Sequence, residues 1–296
     1  RDEHGMREDY RNYLFESYLK VVQHYKPRVF VFENVPGILS AKPGDGSVRI
    51  IDLIQKAFAD AGYAVLPDLS NAIIDMTEYG VPQNRKRIII LGVSKEHYGD
   101  KAEAMVEKFY SSYLPEYKIE KKATVRDAIG DLPKLRPLDE PISYLGRKLS
   151  HSVSDPLING HISRFHNKRD IELFKFLEED IASGRMKYTS AKSLKTLYTK
   201  LTGKTSNVHK YYVLRWDEPS NLIPAHLFKD GLRHIHPDPE QARTITVREA
   251  ARLQTFPDDY YFNCSQTDAF KMIGNAVPPL FAKKVAYAIY HLIQEN

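Results

Sequence analysis

The chain of 296 residues carries 43 basic and 38 acidic residues, a formal net charge of +5, and 42% hydrophobic residues. That composition supports a large core and fits two domains more comfortably than one, while so small a net charge is only a weak pointer to an anionic partner. A single cysteine, Cys264, excludes a disulfide framework and a multi-thiolate zinc site. No run nears the roughly 18 apolar residues of a membrane span, and the charged start lacks a signal-peptide core, so a soluble intracellular protein is expected.

In chain order, the spacing of Leu14, Tyr18, Val21 and Tyr25 predicts a helix over 9–25, ended by Lys26 and Pro27. "RVFVFENVPG" follows at 28–37. Val29 to Phe32 read as a buried strand, and Val35, Pro36 and Gly37 as the turn that ends it. Glu33 thus sits at a strand's carboxyl end, where open α/β sheets bind ligands; the residues alone leave open a site acid or a cap for the next element. A second helix is predicted near 50–61, with Ile50, Ile54, Phe58 and Ala61 on one face and Gly62 as its stop. "YAVLPDLSN" reads as strand and turn, and "KRIIILGV" at 86–93 as a strand buried on both faces. Such alternation argues for an α/β protein with part of a mainly parallel sheet and helices packed on it.

Beyond "TVRDAIGDLPKL" at 124–135 the pattern loses its regularity up to about 240, which reads as a separate, loop-rich domain. From Ile181 to Lys210 lie seven basic residues (Arg185, Lys187, Lys192, Lys195, Lys200, Lys204, Lys210) and no acid. Interleaved with Tyr188 and Tyr198, they form either a phosphate-tracking surface or a solvated face. His161, His166, His234 and His236 have no cysteine to pair with, which favours packing or nucleic-acid contacts over a metal. In "RTITVREAARLQTFPD" Thr246 and Glu249 form a capping box, with Ala250 and Leu253 on the buried face. Arg243 and Arg248 read as part of that architecture, with phosphate contact as the alternative. A final helix from about Pro279 is predicted to bury Phe281, Val285, Ile289 and Leu292.

Four segments occur in a fixed order: "FENVPG" at 32–37, "YGVPQNRKRIIILG" at 79–92, "RTITVREAARLQTFPD" at 243–258 and "GNAVPP" at 274–279. Together, with the variable basic block between the second and third, they resemble the cytosine-C5 DNA methyltransferase family in its bacterial modification-enzyme form. The resemblance implies part of an S-adenosylmethionine-dependent methyltransferase (Rossmann-like) α/β sheet with a smaller target-recognition domain. It places catalytic-domain residues at 1–135, target recognition at 136–256 and a return to the catalytic domain at 257–296. It further implies methyl transfer from S-adenosylmethionine to C5 of a flipped-out cytosine in a specific site of double-stranded DNA, in the bacterial cytoplasm at the nucleoid.

By the same resemblance Glu33 is a protonated carboxyl, its pKa raised by burial, that donates to cytosine N3 and accepts from the exocyclic amine. Arg87 reaches O2 and Arg85 supports the same pocket, both projecting to one face of a strand. Asn275 and Val277 are cofactor contacts, Ala276 stands where family members often have Ser, and no metal is needed. The family's Pro-Cys-Gln nucleophile and Gly-rich cofactor turn have no counterpart in these residues, and Cys264 lies in the wrong segment to substitute. The chain is therefore expected to be a C-terminal portion, inactive alone, that works with an N-terminal portion or partner chain carrying both. A non-catalytic DNA-binding specificity subunit and an RNA cytosine-C5 methyltransferase are the alternatives; the long basic insertion favours a duplex reader.

Overall fold

A computed structural model describes residues 14–42, 47–207, 209–229 and 231–296. They belong to two compact units, one drawn from 1–79, 86–119 and 283–296, the other from 80–85 and 120–282. These changeovers differ from those placed at 135 and 257 because Val125, Ile129, Phe270 and Ile273 share a core with Ile245 and Ala250.

The first unit runs α1 (Leu14–Tyr25), β1 (Val29–Asn34), α2 (Ile50–Asp60), β2 (Tyr63–Ala64), β3 (Ile73–Asp75), β4 (Lys86–Ser94), the single turn α3 (Lys95–Tyr98) and α4 (Lys101–Lys108). Its sheet has the order β1-β4-β2, with β3 also on β4, and every pair is antiparallel. β1 and β2 therefore run the same way with β4 reversed between them, and the parallel ladder expected from the alternation is not what these strands form. The apolar run of β4 reports burial, and it is buried from Arg87 onward; it carries no information on a neighbour's direction.

On one face of this sheet Phe30 stands opposite Gly92 and Phe32 opposite Ile90. Their rings pack on Phe58 of α2 and Tyr18 of α1, with centroids 4.5 Å apart for Phe30–Phe58 and 5.3 Å for Tyr18–Phe32. A Cβ at position 92 would overlap the Phe30 ring, so Gly92 is what lets that ring lie flat on the sheet. α2 buries Ile50, Ile54 and Phe58 as the spacing predicts, with Ile51 in addition. α1 is rotated from its predicted face: Phe15 and Val22 are buried, whereas Leu14 and Val21 are each 53% exposed. Residues 9–13 of the predicted helix lie outside the described residues.

β3 covers β4 at 86–88 and β2 covers it at 93–94, leaving a gap between them. The Tyr110 hydroxyl fills it, donating to the Ile89 carbonyl at 2.7 Å and accepting from the Leu91 N–H at 2.9 Å. A side chain thus satisfies backbone groups that no strand reaches.

The second unit holds α5 (Val125–Ile129), the hairpin β5 (Pro137–Tyr144) and β6 (Arg147–His151), α6 (Lys168–Ala182), α7 (Ala191–Thr202), α8 (Val247–Leu253) and α9 (Gln266–Asn275); α10 (Pro279–Gln294) ends the chain. The hairpin turns on Leu145 and Gly146, both with positive φ (48° and 72°), the pairing that matches strand twist in a two-residue turn. One core joins α5, α8 and α9; another, around Phe174, Leu177, Leu194 and Leu197, holds α6 against α7. Long irregular stretches connect these elements, yet α6 and α7 are regular helices that the sequence reading leaves as loop. α10 buries Phe281, Val285 and Leu292, with Ala288 in place of the predicted Ile289. Among the described residues no helix is long and apolar enough to cross a membrane.

Candidate active site

In the first unit Glu33 stands opposite Ile89 in the β1–β4 ladder, and Arg87 lies two residues before Ile89 in β4. The two are diagonal neighbours on the same face of the sheet, within reach of long side chains. Arg87 Nε meets Glu33 Oε1 at 2.8 Å, the side chains being 11% and 29% exposed. Arg87 Nη1 also donates to the Lys86 carbonyl at 2.8 Å, which fixes the guanidinium. Glu33 is not a cap: the 3-10 turn Pro36–Leu39 has Val35 as its N-cap and no side-chain cap bond. Asn34 closes the turn instead, its Oδ1 accepting the Val35 N–H at 2.8 Å. The acid expected from the sequence to be buried is thus partly exposed and rests against an arginine.

Arg85 does not share that strand face. It precedes β4 and belongs to the second unit, where it is 2% exposed. Its guanidinium donates to the carbonyls of Ala276 at 2.9 Å, Gly274 at 3.2 Å and Ile223 at 3.5 Å. Gln83 and Gln254 extend this clamp. Gln254 Nε2 donates to the Ala276 carbonyl at 2.6 Å, Gln83 accepts from the Ile223 N–H at 2.9 Å, and the two side chains hydrogen-bond each other. Gly274 permits the approach, since a Cβ there would collide with the backbone of Pro224 and Ala225. Held this way, "GNAVPP" leaves Asn275 exposed and Val277 half-buried, a polar and an apolar group on a fixed backbone. Sequence reasoning missed Gln83 and Gln254; both lie inside quoted motifs, and amides there signal only that some backbone must be held.

The second unit also contains a buried polar network. Arg243, fully buried, forms a two-pronged pair with Glu249, Nη1–Oε2 2.7 Å and Nη2–Oε1 2.6 Å, and donates to Gln241 Oε1 at 2.7 Å. Burial pushes the Glu249 carboxyl up, but the Arg243 guanidinium outweighs it and holds the group far below the usual carboxylate range. Arg248 donates to the carbonyls of Asn159, Pro257 and Tyr260 at 2.8, 3.0 and 2.8 Å. Both arginines are therefore architectural, and the phosphate alternative is set aside.

The histidines are packed and hydrogen-bonded: His161 to the Pro133 carbonyl at 2.8 Å, His151 to the Gln241 carbonyl at 2.8 Å, His234 to the Leu222 carbonyl at 3.2 Å, while His166 and His236 accept from Thr244 and Asp238 N–H groups at 3.3 and 3.2 Å. Burial pushes His151 and His234 down to about 4 and His166 and His236 down to about 3. In the unfolded chain such groups titrate near about 6.5, so the stability of the neutral rings is complete above that pH and is lost as pH falls toward the folded values. Glu178 acts oppositely: burial raises its carboxyl well above the ordinary value, and its contribution is lost as pH rises. Burial pushes His161 down as well, so with these histidines set against one raised acid, acidification is expected to destabilise this unit, by about 1.4 kcal/mol per strongly shifted histidine for each pH unit below about 6.5. Thermal melts from pH 7.5 to 5.0 check this; a melting temperature flat over that range would contradict it.

The part of the fold this chain spans is that of known methyltransferases. It aligns with a prophage-encoded Escherichia coli protein described as a DNA modification methyltransferase at a TM-score of 0.62, 23% identity, and 97% of this chain against 75% of that one. It aligns with the S. pombe Dnmt2 methyltransferase at 0.50, with 15% identity over 97% and 74%. The family model for C-5 cytosine-specific DNA methylase matches residues 2–291, and the chain belongs to that family. It is 36% identical to the type II methyltransferase M.Bpa9945I of Bacillus paralicheniformis, over 96% of this chain and 65% of that protein. To M.AgeI of Thalassovita gelatinovora it is 31% identical, over 95% and 78%. The chain thus spans about two thirds of the length of the first of these relatives.

Proposed function

We propose that this chain is the cytosine-activating and DNA-reading part of a type II DNA (cytosine-5-)-methyltransferase. The observation that carries the proposal is the Glu33–Arg87 contact of 2.8 Å on one face of the β1–β4 ladder. N3 and O2 are adjacent atoms on one edge of cytosine, and an acid and a guanidinium already touching side by side match that edge.

C6 of cytosine is a poor electrophile until N3 is protonated or strongly hydrogen-bonded. The Glu33 carboxyl supplies the proton at N3 while its second oxygen accepts from the exocyclic amine, and Arg87 donates to O2 as charge gathers there. The base must leave the duplex to reach these groups, which sets a flipped nucleotide as substrate. The methyl group comes from S-adenosylmethionine, whose sulfonium makes it electrophilic. Asn275 and Val277 suit the polar and apolar parts of that cofactor's methionine end, and the clamp of Arg85, Gln83 and Gln254 keeps their backbone fixed. The nucleophilic cysteine and the Gly-rich cofactor turn come from a segment or chain outside these residues, since the one cysteine, Cys264, lies in the segment just before α9 and belongs to the second unit, whereas Glu33 and Arg87 belong to the first.

The α7 helix supports a duplex partner: Lys192, Lys195 and Lys200 stand on it with hydroxyl residues and no acid. A bacterial cytoplasmic location at chromosomal DNA goes with this reading. The test is labelled methyl transfer from S-adenosylmethionine, with the chain co-expressed with the neighbouring coding region. Label is expected at C5 of cytosine in duplex DNA and not with the chain alone. Label in RNA only would overturn the proposal in favour of RNA methylation. Site-specific duplex binding with no transfer would overturn it in favour of a specificity subunit.

A further inference from the structure

A cavity of about 340 Å3 lies within the second unit, between the β5–β6 hairpin and the first turn of α9, and no assigned role accounts for its chemistry. Arg147, Lys148, Arg164 and Lys229 line it together with the hydroxyl residues Ser163 and Thr267, and no carboxylate does so among the described residues. The cations are set in place by other groups. Lys148 sits over the Phe165 ring at 4.8 Å, and Arg164 over Phe270 at 4.5 Å while donating to the carbonyls of Leu227 and Phe228 at 2.8 and 3.0 Å. Arg147, Lys148 and Lys229 are in none of the described ion pairs. Asp268, the acid of the α9 first turn, is tied to Ser265 at 2.7 Å and to Lys271 at 3.1 Å.

Gathering cations around one concavity is repulsive unless an anion occupies it, and the positive end of α9 adds to the same field. The Thr267 hydroxyl offers a donor of the kind phosphate oxygens accept, while Ser163 donates to the Arg164 carbonyl at 2.8 Å and helps to hold that segment. We infer that this cavity is a phosphate-binding site that holds one backbone phosphodiester of the DNA duplex and so fixes the register of the β5–β6 hairpin on it. Most of β5 is exposed, and Leu145 at the hairpin tip is 78% exposed, so the strand beside the site is free to lie along a groove. The inference rests on duplex DNA being the substrate.

The test measures duplex binding by fluorescence anisotropy as a function of salt for the chain, for Lys148→Ala/Lys229→Ala, and for Lys20→Ala/Lys108→Ala, which removes the same charge from the first unit. Each lost phosphate contact flattens the slope of log K against log salt by about 0.9. With its one phosphodiester lost, the pocket variant is expected to lose about 0.9 from that slope, with equal weakening on specific and unrelated duplexes, and the control to lose almost none. Equal slopes for pocket variant and control overturn the site, as does weakening confined to the specific duplex. Calorimetry with inorganic phosphate forms a second arm: phosphate binding lost in the pocket variant while the DNA slope is unchanged would overturn the phosphodiester assignment in favour of a free anion. A chain that binds no duplex at all takes down the proposed function, and this inference with it. Thermal melts establish that both variants are folded.

Discussion

Glu33→Gln, in the enzyme assembled with its nucleophile-bearing portion, is expected to slow methyl transfer by about 10²- to 10⁴-fold, the range a positioned general acid supplies. Glutamine keeps the shape and can hydrogen-bond N3, but its amide has no acidic proton to give, so C6 stays unreceptive. The change also takes the acid out of the 2.8 Å pair with Arg87. Arg87 keeps its bond to the Lys86 carbonyl and can still donate to the glutamine oxygen, so fold and duplex binding should persist. Single-turnover transfer of labelled methyl, measured beside duplex affinity, separates the two effects. Activity within twofold of the parent would remove Glu33 from the chemistry.

A second large effect is expected at Arg243. Arg243→Met leaves Glu249 buried without its partner, and stranding a buried charge costs about 3–5 kcal/mol. Glu249 also closes the α8 capping box by accepting the Thr246 N–H at 2.7 Å, so its displacement would fray that helix start as well. Adding Glu249→Leu to Arg243→Met should recover part of the loss, because two apolar groups need no pairing, though not the part due to the cap. Denaturant midpoints of the single and double variants check this. A double variant less stable than the single one would mean that the pair is not the source of the cost. Since Arg243 is fully buried, the salt dependence of DNA binding should not change in any variant that folds.

These two residues show how far the sequence carries. Thr246 and Glu249 are three apart, and that spacing alone specified the capping box at α8; the apolar spacing of α2 and α10 gave nearly all of their buried faces. The assignment of Glu33 and Arg87 to the proposed site rests on their motifs, and strand periodicity explains why Glu33 leaves the apolar run where it does. What was not legible depends on partners distant in the chain. Arg85 looks like a neighbour of Arg87 by count, but its carbonyl partners at 223, 274 and 276 lie far away in sequence and draw it into the other unit. The face of α1 was misplaced by one residue because Leu14, Val21 and Tyr25 also repeat at helical spacing, and only the Phe30–Phe58 cluster decides which stripe is covered. α6 and α7 were hidden by their charge and hydroxyl content, although Asn167, Ser190 and the left-handed Gly203 are sound start and stop signals.

The Glu33–Arg87 contact exists only because both residues have the same parity relative to the β1–β4 register. Sliding β1 by one residue against β4 would turn Glu33 onto the side covered by Tyr18 and Phe58 and send Phe32 to the side of Arg87, replacing the acid beside that guanidinium with a ring. The acid's address is therefore set by an even or odd count, which constrains how the strand can change over time. Insertions or deletions within β1 keep the Glu33–Arg87 pair, and with it the proposed chemistry, only when they come in pairs.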